Sequence, residues 1–165
     1  MFTLKPLRKE AVEAALIKAE RYRLLNQPAE AESICLDVLD LEPDHQEARV
    51  ALLLALTDQF AEDGQAYQRA REALSRLTGE YERAYYDGLI RERRAKAQVT
   101  RRNGALSGTY DWFREAMDCY ERAEALSPAG NDDARLRWNA CVRFLARRPE
   151  LRPASEERSQ IEMLE

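Results

Sequence analysis

The sequence predicts an all-α fold. Ala, Leu, Glu and Arg dominate its 165 residues, β-branched residues are sparse, and six Gly and six Pro interrupt the chain; such a composition favours helix almost everywhere. Between these breakers the apolar residues recur at helical spacing. With 45% hydrophobic and 34% charged residues, the chain has the balance of a globular protein that builds its own core.

The first helix is expected over about Leu7 to Leu25, with Pro6 at its entrance, Asn26 at its exit, and Ala11, Ala14, Ala15, Ala19 and Tyr22 at helical spacing. The second, about Pro28 to Glu42, opens on a proline and sets Ala31, Ile34, Cys35, Val38, Leu39 and Leu41 on a broad apolar face. A short turn should make this pair antiparallel. Asp44 is expected to cap a third helix that runs to about Glu62 and ends at "EDGQ". A fourth spans about Ala66 to Leu77 and stops at "LTGE". The fifth starts near Glu80 and meets no breaker until Asn103 and Gly104, so the isolated Gly88 inside it calls for a packing reason. The sixth covers about Thr109 to Leu126, and the seventh about Asn131 to Arg147. A short helix capped by Ser155, or a disordered tail, follows.

The seam "LDLEPDH" recurs. Laying "AEAESICLDVLDLEP" over "REAMDCYERAEALSP" matches Ala31 with Ala116, Ile34 with Cys119, Cys35 with Tyr120, Val38 with Ala123, Leu41 with Leu126 and Pro43 with Pro128. These residues resemble the second helix of a tetratricopeptide repeat (TPR): a small Ala, an aromatic or apolar residue a turn later, another small residue, then a closing Pro. Ala19 and Tyr22 fit the first helix of that repeat. Ala31 and Ala116 lie 85 residues apart, about 17 more than two ideal repeats need. The excess fits a long third helix, an extended fifth helix and the "RRNGALSG" loop. The middle repeat, "YQRAREALSRL", keeps Ala70 but lacks the closing Pro.

The resemblance implies an α-solenoid of antiparallel helix pairs, about three TPR-like repeats over Val12 to Pro128 with the seventh helix as a cap. One repeat domain would occupy residues 1–147 and a tail residues 148–165. First helices of such repeats line a concave groove for a peptide or helix of a partner. Carried over, the groove positions are Glu13, Leu16, Glu20 and Arg23, then Glu47, Val50 and Leu54, then Tyr85, Leu89 and Arg93. Chaperone co-factors of this family hold a terminal carboxylate with Lys, Asn and Arg at such places; Leu16 and Glu20 occupy two of them here, which argues against that use. The family's small first-helix residue falls at Gly88, implying a close helix contact.

Other chemistry finds little support. A net charge of −4 and a pI near 5.3 provide no global attraction to nucleic acid or anionic membrane. The charge is uneven: 10 Lys/Arg against 15 Asp/Glu through Glu80, then 16 against 15. "VALLLAL" is too short to cross a bilayer, and "MFTLKPLRKEAVEAAL" lacks the apolar block of a signal peptide, so a cytoplasmic protein is expected. Cys35, Cys119 and Cys141 are widely spaced and suit buried thiols in a reducing compartment. His45, the one histidine, is expected as an exposed turn residue, and "NGALSG" lacks the Lys of a phosphate loop. Asp132 and Asp133 read as first-turn acids behind an Asn131 cap rather than as metal ligands or a catalytic pair. No catalytic residue, metal or cofactor is expected.

The segment "RERRAKAQVTRR" sets Arg91, Arg93, Arg94, Lys96, Arg101 and Arg102 against Glu92. It reads as an ion-paired or solvated face, with contact to an acidic ligand as the alternative. Tyr81, Tyr85, Tyr86, Tyr110, Trp112 and Phe113 exceed what one helix face buries, leaving candidates for interface anchors. The expected function is a non-enzymatic scaffold or adaptor that holds a protein or peptide partner, with Arg94, Lys96, Arg101 and Arg102 forming a basic protrusion. Two alternatives stay open. One is an anion- or RNA-associated protein acting through residues 91–102; the other is self-association through the groove or through Trp138, Cys141 and Leu145.

Overall fold

The computed structural model describes residues 2–101, 106, 108–151 and 153, and among these every regular element is helical. A 3₁₀ turn, Lys9–Ala11, leads into α1 (Val12–Leu24), followed by α2 (Pro28–Leu41), α3 (Gln46–Thr57), α4 (Ala66–Ser75), α5 (Glu80–Thr100), α6 (Thr109–Leu126) and α7 (Asp133–Ala146). The chain divides into two compact units, Met1–Thr78 and Gly79–Glu165.

In the first unit each of α1 to α4 packs on the next, and α1 also meets α3. Asn26 ends α1 in the left-handed region, φ 57°. Its N–H bonds the Arg23 carbonyl at 3.0 Å while that of Gln27 reaches back to Tyr22 at 2.9 Å, so the last carbonyls of the helix are satisfied. Pro28, in the first turn of α2, lacks a donor where none is needed. Ala31, Cys35 and Val38 of α2 are fully buried, one turn apart on one face. Val12, Leu16, Val38 and Ala48 form a shared apolar cluster backed by Leu7, Ala15 and Leu39. Each large aliphatic side chain so buried is worth about 1.5–3 kcal/mol.

Both ends of α3 differ from expectation, and α1 begins at Val12, behind the 3₁₀ turn, rather than at Leu7. His45, not Asp44, is the N-cap of α3: its Nδ1 accepts the Ala48 N–H at 3.2 Å, which leaves the ring proton on Nε2, 4.0 Å from Glu42 Oε2. His45 is accordingly half-buried rather than exposed. Helix α3 closes at Thr57 instead of Glu62. Asp58 is drawn aside by Arg23 Nε at 2.8 Å, and Gln59 and Phe60 take tight three-residue hydrogen bonds to Leu56 and Thr57.

In the second unit α6 packs on both α5 and α7. Phe113, Ala116, Met117, Tyr120 and Ala123 bury one face of α6 against Ala95 of α5 and Ala134 and Cys141 of α7. Gly88 permits the close approach its position implied. A Cβ there would lie 2.8 Å from Tyr120 Cε1 and 3.1 Å from the Ala116 carbonyl. Asp132, not Asn131, is the N-cap of α7, which starts at Asp133; the Asn131 Oδ1 accepts the Asp133 N–H at 3.0 Å from one residue further out.

Three of the six aligned pairs of the repeated seam are matched in full burial, whereas Ile34 is half-buried against a buried Cys119. Ala31 and Ala116 are both fully buried, as are Cys35 and Tyr120, and Val38 and Ala123. Leu41 and Leu126, expected on the apolar face, are 40% and 46% exposed. They lie at the helix ends, beyond the last turn that packs. No helix among the described residues is long and apolar enough to cross a membrane.

Candidate functional site

The clearest hollow in the first unit, about 340 Å³, is built by three helices. Glu32, Leu36 and Leu39 come from one face of α2, Arg49, Leu52 and Leu56 from one face of α3, and Arg69 and Ala73 from one face of α4, with Arg76 at its C-cap. Spacings of three, four and seven make each set contiguous. The walls are leucine, and Leu36 at the rim is 50% exposed.

Charge is arranged unequally around it. Arg69 pairs with Glu32 and, at 2.5 Å, with Asp63, while Arg76 lies 3.5 Å from Glu72. Gln59 Nε2 donates to the other Glu32 oxygen at 2.8 Å. Arg49 is different. It is 7% exposed, it donates to the Pro43 carbonyl, and its Nε has no hydrogen-bond partner. No carboxylate among the described residues pairs with it. It also stands in the first turn of α3, where the helix dipole disfavours a cation. A buried guanidinium with neither a counter-ion nor a favourable dipole is costly unless an anion joins it.

The second unit holds a charged cluster of the opposite kind. Glu92 is fully buried; Lys96 Nζ and Arg137 Nη1 donate to its Oε1 at 2.5 and 3.4 Å, and the Tyr120 hydroxyl donates to its Oε2 at 2.5 Å. Burial and then the Glu92 charge push the Tyr120 phenol far up. Both carboxylate oxygens are satisfied and closed to solvent, so this cluster pins α5, α6 and α7 together rather than presenting a site.

The expected groove positions scatter between surface and core. Glu13, Glu20 and Glu47 are exposed; Arg23, Val50, Leu54, Tyr85 and Arg93 are half-buried. Leu16, at 8% exposure, and Leu89, at 1%, are core residues rather than groove lining. The resemblance assigned them outward, but α1 buries Leu16 with Val12 and Ala48. Arg23 is held by Asp58, and the Tyr85 ring lies 5.7 Å from Tyr81, stacked, and 5.9 Å from Tyr120. None of the expected positions lines the hollow. Arg49 escaped sequence reasoning, though one signal existed: a lone cation entering "VALLLALT" at a helix start.

The basic segment is largely engaged. Arg91 binds Asp87 at 3.0 Å and also Glu115, Lys96 binds Glu92, and the Arg94 guanidinium lies 4.2 Å over the Trp112 ring. Arg101 is exposed, and Arg102 lies outside the described residues, as do most of the "RRNGALSG" loop and most of the tail, Ser155 included. Cys35, Cys119 and Cys141 are free and buried. No group of three or more His, Cys, Asp or Glu among the described residues is placed to hold a metal ion. Comparison with protein-family models, with curated proteins and with solved structures finds no match.

Proposed function

We propose that this chain is a protein-interaction module built of TPR-like antiparallel helix pairs in an α-solenoid, and that the α2–α3–α4 hollow holds a short segment of a partner protein through one carboxylate and one large apolar side chain. Arg49 carries this reading: its buried guanidinium needs an anion, and leucine walls beside it suit an aliphatic or aromatic neighbour. Equal burial at Ala31 and Ala116, Cys35 and Tyr120, and Val38 and Ala123, together with the close contact at Gly88, supports the repeat. Hydrogen bonds to charged groups contribute about 1.5–3 kcal/mol each, enough to give a peptide its register.

The test is selection from a displayed random-peptide library against the whole chain. Enriched peptides are expected to share a carboxylate two to four residues from a Leu, Phe or Trp. Leu36→Asp, at the exposed rim, and Arg49→Gln should each weaken the selected peptide at least about tenfold, with far-UV circular dichroism unchanged. Enrichment of peptides without a carboxylate, or binding indifferent to both substitutions, overturns the proposal.

The anion- or RNA-associated alternative loses support from the pairing of Arg91 and Lys96, since a cation already neutralised by a carboxylate adds little to phosphate binding.

A further inference from the structure

Helix α1 carries an outward stripe that its own unit leaves uncovered. Within the continuous 3₁₀ and α-helical stretch it runs through Glu10, Ala14, Ile17, Arg21 and Leu24, at alternating steps of four and three, the spacing of a two-helix seam. Ile17 is 55% exposed and Leu24 82%, with Glu10, Ala14 and Arg21 exposed beside them. Beside this stripe a second hollow, about 270 Å³, opens between α1 and α2, lined by Leu7, Ala11, Ala14 and Ile34 among others.

The stripe reads the same in both directions. Reversed about the midpoint between Ala15 and Leu16, Glu10 falls opposite Arg21 and Ala14 opposite Ile17, while Leu24 falls beyond the start of the helix, where the extended chain holds Leu7. Each apolar residue meets an apolar one, the small faces the large, and the acid faces the base. Neither Glu10 nor Arg21 has an ion-pair partner among the described residues. A partner unrelated to this chain would need no such symmetry, whereas a two-fold contact between identical surfaces requires it.

We infer that α1 is a self-recognition surface, on which a second copy of this chain lays its own α1 antiparallel. Ile17 of each copy packs on Ala14 of the other, Leu24 enters the hollow beside Leu7, and two symmetric Glu10–Arg21 pairs close the seam. One helix pair buries less than the roughly 1,200 Å² of a stable complex, so the dimer is weak and depends on concentration. The inference stands on α1 and the α1–α2 hollow, and does not rest on what the Arg49 hollow binds.

Light scattering and sedimentation equilibrium of the full chain across the micromolar range test it. The wild type is expected to move from 19.1 kDa towards twice that mass, and more weakly at high salt. Glu10→Arg and Arg21→Glu should each weaken dimerisation about tenfold or more, because like charges then face across the seam. Two recoveries follow from the two-fold alone: an equimolar mixture of the single variants should dimerise, and so should the chain carrying both substitutions. Ile17→Asp should stay monomeric. Circular dichroism of every variant checks that α1 still folds. A wild type that remains monomeric throughout, or a dimer insensitive to Ile17→Asp and to the charge exchange, overturns the inference; in the first case the stripe belongs to a different chain, in the second the copies meet elsewhere.

Discussion

The stretch that α2 and α6 repeat is filled differently in the two units. At the position where α2 places Cys35, α6 places Tyr120, and both are fully buried. The larger side chain fits because α5 yields on both counts: Gly88 removes the Cβ that its ring would strike, and Glu92 accepts its hydroxyl at 2.5 Å. Charge follows the same division. The second unit turns Arg91, Lys96 and Arg137 inward or onto neighbouring carboxylates. The first leaves Arg49 without a counter-ion, and Glu10 and Arg21 facing out. Cations already paired inside a unit hold it together, while unpaired ones are available to ligands; the function proposed above draws on the first unit, whereas the cluster around the fully buried Glu92 lies in the second.

The sharpest way to break this contrast is to remove one carboxylate from each unit. Glu92→Ala leaves the Tyr120 hydroxyl unsatisfied in a closed interior and takes the counter-ion from the partly exposed Lys96 and Arg137, and is expected to cost about 1–3 kcal/mol or more. Glu32→Ala leaves Arg69, whose side chain is 41% exposed, free to hydrate, and should cost about 1 kcal/mol or less. Urea denaturation of both variants checks the ratio; similar losses would erase the distinction between a buried pin and a surface pair.

Much of this was legible in the residues, for reasons the comparison explains. Helix number and order follow from breakers such as Asn26, Pro28 and Gly79, which act locally. The buried register at Ala31 and Ala116 was readable because small residues at fixed spacing report close helix packing. What the sequence hides is the partner of each charge. Glu92 stands alone amid arginines in the sequence, yet its partners are Lys96, Tyr120 and Arg137, the last two 28 and 45 residues away. Leu16 and Leu89 take groove positions from the resemblance; which face is inward depends on neighbours that a repeat pattern does not contain.

The matched seam can be sharpened by overfilling it. Ala31→Trp and Ala116→Trp both insert a large ring at a fully buried position and should each cost about 1–3 kcal/mol or more. Gly88→Ala adds one methyl against a ring that cannot retreat, since its hydroxyl is held by Glu92; about 1–3 kcal/mol is expected. Phe at position 120 tests the coupling: with the hydroxyl gone the ring is free to shift, so Gly88→Ala should cost less in a Tyr120→Phe background than in the wild type. An additive double variant would show that Glu92 does not hold the ring.

The smallest effect separates the units by pH. Burial pushes the thiols of Cys35 and Cys141 up to about 12, against roughly 8.5 in an unfolded chain. Between those values the folded chain keeps protons that the unfolded chain has lost, so stability is complete below pH ~8.5 and declines as pH rises towards 12. Cys35→Ala and Cys141→Ala should each flatten part of that alkaline decline, the former in the first unit and the latter in the second. At pH 8 none of the three buried thiols should react with a thiol-disulfide reagent in the native chain, since the reactive thiolate is suppressed and shielded. All three should react once the chain is denatured. A thiol that titrates rapidly before unfolding would mark the unit that opens first, and by the argument from Glu92 it should be Cys35.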